Sequence, residues 1–391
     1  METVEYQEHL AELAQSRAAV ARREQEKKQA KRQKDFHFVS ANLLNFLPHL
    51  PQDQHEQVYM DICSMYKRLT LEPDRPQLIE TLILEGDTCF LTSHQDLPAI
   101  FCTYHVGSYR ALIGLLAKSG IDFVLASGAN MYQQQKDKII EYVRTFQQTA
   151  GKEAYFDLVD VSAANATLEL TTQLLKGRSL VAYVDGNNGV GGVYQRDDSM
   201  LRLNFLGKPI YSRKGLSVLS FLTKRPLIPA ISYYQPVDGA EETLATLRFY
   251  PPIVPPLARE ARERYFEEAT TQLYGVLEQN LQHYYNQWEG WIYVHKYLDF
   301  ESLKATEPDE PDLRAAAARE TLLFNKERYG LFKIDDDGYA LDKLKYTTVK
   351  LPASLFDGLS ELERDRSLLD TLPPALLEDL VARRLLVTKS V

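Results

Sequence analysis

Short apolar runs alternate with helical segments along the middle of the chain, and this alternation constrains the fold most strongly. The predicted strands are Ala99–Tyr104, Phe123–Ala126, Tyr155–Val161, Leu180–Val184, Pro226–Tyr233 and Leu247–Tyr250, and the predicted helices lie near Tyr109–Ser119, Gln133–Thr149, Ala164–Lys176, Arg213–Leu222 and Ala258–Gln287. The strand runs are apolar throughout, which is typical of strands buried on both faces. The sequence therefore predicts an α/β fold with a mostly parallel sheet flanked by helices.

The remaining sequence divides the chain into three predicted parts. Residues 1–35 form a basic helical segment, residues 36–303 form the α/β domain, and residues 311–391 form a small C-terminal α+β module after an acidic, proline-containing linker. In that module, strands are expected at Leu322–Ile334, Lys343–Val349 and Leu385–Thr388, and helices at Leu359–Leu369 and Pro374–Arg384.

Composition narrows the functional classes. The formal net charge of −9 argues against a nucleic-acid partner. The three cysteines form no CxxC pair and no cluster typical of a metal site, which favours free thiols in a reducing compartment. No apolar run approaches the roughly 20 residues that span a bilayer, and no signal-peptide pattern is seen, so we expect a cytoplasmic protein. The basic run 22–34 is either a solvated helix or a contact for an anionic membrane surface or an acidic carrier protein.

His105 stands where a predicted strand ends, two residues before Gly107. Ligands of open α/β sheets bind at the carboxyl ends of the strands, where a neutral imidazole can act as a general base. Asp185 ends another predicted strand, so its carboxylate is expected at the same edge, within reach of the imidazole. The simpler alternatives are a histidine bonded to a backbone carbonyl and an aspartate that caps a turn.

Two further segments carry candidate ligand contacts. Glycines follow Asp185 and offer backbone N–H groups, but they match no known nucleotide-binding pattern. Arg213 and Lys214 stand at a predicted helix start, where an anion is favoured, although surface charge there is equally ordinary. Trp288 and Trp291 are three residues apart, as on one face of a helical turn, and we interpret them as a packing anchor.

Five segments, in this order, resemble the late acyltransferases of lipid A biosynthesis and the related lysophospholipid acyltransferases. They are Asn42–Leu50, the His105-Val-Gly-Ser-Tyr-Arg110 stretch, Asp185-Gly, Phe205-Leu-Gly-Lys-Pro209 and Gln287-Trp-Glu-Gly-Trp291. The resemblance implies an acyltransferase-like fold that moves an acyl group from an acyl-carrier-protein or coenzyme A thioester to an amine or hydroxyl. It implies His105 as general base, with no metal and no tightly bound cofactor, and it makes Ser108 and Asn187 candidate substrate contacts.

One position departs from the family pattern. The family's histidine is oriented by an acid five residues later, and here that residue is Arg110. Two interpretations stay open. Asp185 supplies the carboxylate while Arg110 binds an anionic group of the substrate, or the domain has lost acyl transfer and serves as a scaffold that binds a peptide or a carrier protein.

Two further expectations concern the acceptor and the C-terminal module. The family usually carries an N-terminal membrane helix that has no counterpart here, so a soluble acceptor, such as a peptide or a carrier-bound intermediate, is expected; peripheral membrane contact is the other expectation. The C-terminal module is similar to small winged-helix domains of the PqqD type, which hold peptide substrates.

Overall fold

The computed structural model of the 391-residue chain describes residues 28–71, 79–186, 197–236, 243–303 and 319–388. Its first helices are α1, over residues 28–46, and α2 (His55–Leu71). The chain folds into two compact units. One consists of Met1–Glu56 with Phe300–Val391, and the other is Gln57–Asp299. Most of the predicted basic segment and of the acidic linker lies outside the described residues.

A seven-stranded sheet forms the centre of the Gln57–Asp299 unit. The strands of the unit are β1 (Ile83–Glu85), β2 (Ile100–Thr103), β3 (Phe123–Ser127), β4 (Phe156–Asp160), β5 (Ser179–Tyr183), β6 (Met200–Phe205), β7 (Lys208–Arg213), β8 (Leu227–Pro236) and β9 (Thr243–Phe249). The sheet order is β1-β9-β8-β2-β5-β3-β4. The five strands from β8 to β4 are parallel, while β9 runs antiparallel to β8 and pairs in parallel with β1. The predicted α/β fold with a mostly parallel sheet is confirmed.

The helices of this unit follow the strands as the alternation predicts. They are α3 (Phe90–Ser93), α4 (Ala111–Ser119), α5 (Ala129–Ala150), α6 (Ala166–Leu175), α7 (Gly215–Thr223) and α8 (Arg262–Tyr284). The apolar runs are buried because helices pack on the sheet. Leu112 and Leu116 of α4 share a core with Phe101 of β2, Phe123 of β3 and Val143 of α5, and these side chains are almost fully buried. Burial of one large aliphatic or aromatic side chain contributes about 1.5–3 kcal/mol.

The hairpin of β6 and β7 differs from the prediction, which placed only a turn before the helix start. The two strands meet at Leu206 and Gly207, which both have positive φ, at +48° and +74°. Two such residues form the tight turn that suits the twist of a hairpin. Leucine seldom adopts this conformation, so the sequence gives little sign of the turn.

The second unit combines α1 with the C-terminal residues. Its other elements are β10 (Leu322–Phe324), β11 (Tyr329–Ile334), β12 (Asp337–Asp342), β13 (Thr347–Leu351), α9 (Ala353–Glu361), α10 (Ser367–Thr371), α11 (Pro374–Ala382) and β14 (Leu386–Thr388). The strands form a β11-β12-β13 sheet and a β10-β14 pair. The predicted strand Leu322–Ile334 is divided into β10 and β11, the predicted strand Lys343–Val349 corresponds to β13, and β12 is an additional strand between them. The helix predicted at Leu359–Leu369 is replaced by α9 and α10, because Pro352 starts a helix earlier than expected.

Contacts of α1 change the predicted domain boundary. The prediction assigned residues 36–303 to one domain, but residues up to Glu56 group with the C-terminal unit. The imidazole of His37 is 2.9 Å from the Leu331 carbonyl oxygen, and the Asn45 side chain donates to the Lys343 carbonyl at 2.8 Å. Ala41 shares a small core with Phe332 and Leu341, which only the folded chain brings near α1.

Candidate functional site

His105 lies just beyond β2, at the carboxyl edge of the parallel strands, as the sequence predicts. The bend after it depends on Gly107, which has φ +54° and lies so close to β8 that a Cβ there would stand 2.6 Å from the Tyr233 Cα atom. No side chain fits that space. On the other side, the His105 carbonyl accepts from the Glu289 N–H at 3.0 Å, and the Gly107 N–H donates to the Gln287 carbonyl at 3.2 Å. The histidine is thus held between two segments of backbone.

Asp185 meets the imidazole of His105. The Nδ1 atom of His105 is 2.9 Å from Oδ1 of Asp185, and Oδ2 of the same carboxylate accepts from the His105 backbone N–H at 3.0 Å. The indole Nε1 of Trp288 donates to Oδ2 at 2.7 Å. Asp185 is almost fully buried, whereas the imidazole keeps 15% of its surface exposed. Because Nδ1 faces the carboxylate, a proton on Nδ1 leaves Nε2 with the free lone pair.

Aromatic rings fix the plane of the imidazole. Tyr183, the last residue of β5, stacks on it with ring centroids 4.4 Å apart, and Tyr109 meets its edge at 5.0 Å. The Tyr293 hydroxyl lies 3.4 Å from Nδ1, and the Tyr109 hydroxyl donates to the Glu289 carboxylate at 3.2 Å. Neighbours of this kind restrict rotation of the ring, so the Nε2 atom keeps one direction.

Two opposing effects set the pKa of His105. Burial lowers it, because a charged imidazolium loses hydration. The negative charge of Asp185 and its hydrogen bond outweigh burial and raise the pKa above the ordinary 6.5, with a further contribution from Glu289. Arg110 acts in the lowering direction, as expected for a permanent cation, but its effect is the smallest of these. The imidazole is therefore a stronger base than an isolated one.

His105 also forms part of the wall of a cavity of about 910 Å³. The cavity opens beyond the carboxyl ends of β3 and β5 and is bounded by α5, α6, α7 and α8. Its apolar lining includes Ala126, Ala129, Met131, Val161, Ala166, Leu170, Ala182, Val184, Leu216, Val218, Leu219 and Leu273. A cavity of this volume can hold a small organic ligand or a hydrocarbon chain. It lies where open α/β sheets bind ligands.

The structure brings some of the predicted site residues to this cavity. Arg213 and Lys214 line it; the guanidinium of Arg213 donates to the Ser199 hydroxyl at 3.0 Å, and the Lys214 ammonium is 3.7 Å from the Glu263 carboxylate. Asp185 stands behind His105, away from the lining.

The other predicted contacts are placed differently. Within the described chain, Ser108 and Arg110 are not among the lining residues. Ser108 is buried, and the Arg110 guanidinium points to the Gln135 side chain of α5 at 3.4 Å. Asn187 and the glycines that follow it lie outside the described residues.

Sequence reasoning missed the roles of Trp288, Glu289, Tyr183 and Tyr293 at the site. Trp288 does pack against Trp291, with ring centroids 4.7 Å apart, but it is extended and its indole binds Asp185. The signal was present, because the Gln287–Trp291 segment is one of the five that carry the family resemblance. The indole N–H of a buried tryptophan needs an acceptor, and the carboxylate of a nearby strand-end aspartate can supply it.

No protein-family model matches the sequence, and no curated protein matches it. Over the described ranges, no group of three or more His, Cys, Asp or Glu side chains is placed to hold a metal ion. In the same ranges, no helix has the length and apolar character needed to cross a membrane.

Proposed function

We propose that this chain is an acyltransferase that moves an acyl group from an acyl-carrier-protein or coenzyme A thioester to an amine or hydroxyl, acting in the cytoplasm. The observation that carries the proposal is the pair of His105 and Asp185, 2.9 Å apart, at the wall of a cavity of about 910 Å³. An imidazole whose second nitrogen is held by a buried carboxylate is the arrangement that general-base catalysis uses.

In the proposed reaction, the acceptor N–H or O–H group gives its proton to Nε2 of His105 while its nitrogen or oxygen attacks the thioester carbonyl carbon. The C–S bond of the resulting tetrahedral intermediate then breaks, and the imidazolium returns the proton to the leaving thiolate. The products are an amide or ester and a free thiol. Asp185 holds the imidazole in one tautomer and stabilises the imidazolium between the two steps.

The cavity lining supports the substrate classes. Its apolar walls suit an acyl chain. Arg213, which the structure places at the end of β7 and not at a helix start, and Lys214, which precedes α7, suit a phosphate or carboxylate of the donor. Asp185 takes the part of the acid that the family carries at the position of Arg110. In this proposal the C-terminal unit, as a winged-helix-like module, presents a peptide or carrier-bound acceptor.

The scaffold alternative also has an observation in its favour. Residues 347–350 of β13 are all exposed at the edge of the β11-β12-β13 sheet, and an exposed edge can pair with an extended peptide. In that reading Arg110 marks a domain that binds and does not catalyse.

A thioester assay separates the two readings. The full-length protein is incubated with acyl-coenzyme A and acyl-carrier-protein donors of different chain lengths and with amine and hydroxyl acceptors, and thiol release is measured with product mass. His105→Ala removes the base, so we expect product formation to fall on the order of 10²- to 10⁴-fold.

The matched control is His283→Ala, because His283 is an exposed histidine of the same unit, on α8. It should leave the rate unchanged. Absence of thiol release with every donor, or equal rates for the unaltered protein and His105→Ala, would reject acyl transfer by His105. A peptide bound equally well by both proteins would then support the scaffold reading.

A further inference from the structure

The N-terminus of α5 opens into the cavity without a cap. Gly128 precedes the helix and has no side chain to cap it, and the first turn holds no acidic residue. The first backbone bond of this end joins the Tyr132 N–H to the Gly128 carbonyl at 3.0 Å. The N–H groups of Ala129, Asn130 and Met131 make no hydrogen bond to any part of the chain that the structure describes. All three residues line the cavity, so these N–H donors are available to a ligand that binds there.

Ser127 adds an independent sign of a ligand. It is the last residue of β3, only 5% exposed, and it lines the cavity. Its hydroxyl is buried and has no hydrogen-bond partner among the described residues. A buried hydroxyl without a partner costs about 1–3 kcal/mol of desolvation, so one on a residue of the cavity wall points to a group that binds there.

The charges around this end of the cavity favour an anion. Helices α6 and α7 also begin at the wall, at Ala166 and Gly215, so the positive ends of their dipoles lie at the same cavity. The Asp160 carboxylate at the end of β4 is engaged by the N–H and hydroxyl of Ser162, at 2.9 and 2.7 Å. Asp197 is the carboxylate among the described lining residues, and it accepts from the Ser199 N–H at 2.9 Å.

We infer that Ser127 and the N-terminal turn of α5 bind an oxyanion, a carboxylate or a phosphate, on the molecule that occupies the cavity. The sheet order β2-β5-β3 places Ser127 two strands away from the strand that leads to His105, which is roughly 10 Å. The ligand is therefore elongated, with its anionic group distant from the histidine. The identity of the probes below rests on the proposed function, but binding of the oxyanion does not require catalysis.

The oxyanion has two sources under this proposal, and calorimetry with two probes distinguishes them. Suberate represents an acyl chain that ends in a carboxylate, and 4′-phosphopantetheine represents the phosphate of the donor. Ser127→Ala should weaken the binding of one of these probes about fivefold or more, because a hydrogen bond to a charged group is lost. The probe that loses affinity identifies the source. 1-Octanol, which has the apolar chain but no anionic group, should be affected less than twofold.

A second variant tests the helix end without removing a side chain. Ala129→Asp places a carboxylate in the first turn of α5, which favours the helix but occupies the anion site. It should weaken the same probe while leaving the melting temperature unchanged or higher, a combination that a structural defect does not produce. Gln133→Asp, an exposed position of the same helix, is the matched charge control and should leave binding unchanged.

Ser232→Ala is the control for the hydroxyl, since Ser232 is also buried without a hydrogen-bond partner in the described chain but does not line the cavity. It should bind both probes as the unaltered protein does. Equal affinities of Ser127→Ala and the unaltered protein for both probes, or no binding of either probe to the unaltered protein, would overturn the inference. Probe binding that persists in His105→Ala but weakens in Ser127→Ala would support the oxyanion subsite, even if the assay for acyl transfer gives no product.

Discussion

The two units bury histidines in opposite ways. In the Gln57–Asp299 unit, His105 faces the Asp185 carboxylate, and its pKa is raised. In the other unit, burial and, to a smaller extent, the Lys343 charge lower the pKa of His37 and of His55 to about 4 each, although a hydrogen bond to Leu50 and the charge of Asp53 act in the raising direction at His55. Their partners are the Leu331 carbonyl at 2.9 Å and the Ser40 hydroxyl at 3.1 Å.

The difference shows how a buried histidine of a functional site differs from a buried histidine of a structural core. Burial alone keeps an imidazole neutral and inert, and one ring nitrogen of His37 and one of His55 are left without a partner among the described residues. A paired carboxylate outweighs the same burial, raises the pKa of the ring and makes it a stronger base. The neighbouring cavity can then hold a substrate beside that base.

The largest expected effect concerns the stability of the unit that contains α1. Unfolded histidines take up protons below about pH 6.5, whereas His37 and His55 do so only near pH 4, so the unfolded state gains protons first as the pH falls. The free energy of unfolding should therefore drop between pH 6.5 and 4, by up to about 3 kcal/mol for each histidine. The ion pair of His105 and Asp185 behaves oppositely: its contribution is complete below pH 6.5 and is lost as the pH rises through the raised pKa of His105.

The two units can be followed separately in one acid titration. Both tryptophans lie in the Gln57–Asp299 unit, so their fluorescence reports on that unit, while far-ultraviolet circular dichroism reports on both. Ellipticity should change before tryptophan fluorescence as the pH falls. His37→Gln with His55→Gln should flatten the pH dependence, and exposed His49→Gln should not. A single transition at the same pH for both signals, unaltered in the double variant, would break the comparison.

A smaller effect is expected at Trp288. Trp288→Phe removes the indole donor to Asp185 but keeps most of the ring volume, so it should cost about 1–3 kcal/mol of stability. With one donor fewer, the negative charge of the carboxylate is less stabilised by hydrogen bonds. It therefore interacts more strongly with the imidazolium, and the pKa of His105 should rise further. The matched control is Trp291→Phe, whose indole donates to the Tyr285 carbonyl at 2.7 Å and not to Asp185. An equal change of the His105 pKa in both variants would show that packing, not the hydrogen bond, holds the carboxylate.

The sequence predicted the sheet well because the physical signal there is local. Continuous apolar runs, such as Ile100–Thr103, read as buried strands wherever they occur, and the observed bounds differ from the predicted ones by a few residues. The partner of α1 was not predictable in this way. The contact of Asn45 with Lys343 joins residues almost 300 positions apart, and no local pattern encodes it.

The site was predictable in part for the same reason. Two residues that follow parallel strands of one sheet by two positions lie at the same edge, so His105 and Asp185 could be paired from topology alone. Trp288 reaches the carboxylate from an irregular segment after α8, whose path depends on tertiary packing. The uncapped start of α5 and the unpaired Ser127 hydroxyl are properties of the folded cavity wall, which sequence spacing does not reveal.

The most direct test of the account is an NMR titration of the His105 ring in the unaltered protein and in Asp185→Asn. In the unaltered protein, the pKa should lie above 6.5, and the neutral ring should carry its proton on Nδ1, because that nitrogen faces the carboxylate. In Asp185→Asn, burial is no longer outweighed by the paired charge, so the pKa should fall below the value of the unaltered protein. A pKa at or below 6.5 in the unaltered protein, or the same pKa in both proteins, would contradict the claim that Asp185 makes His105 a base.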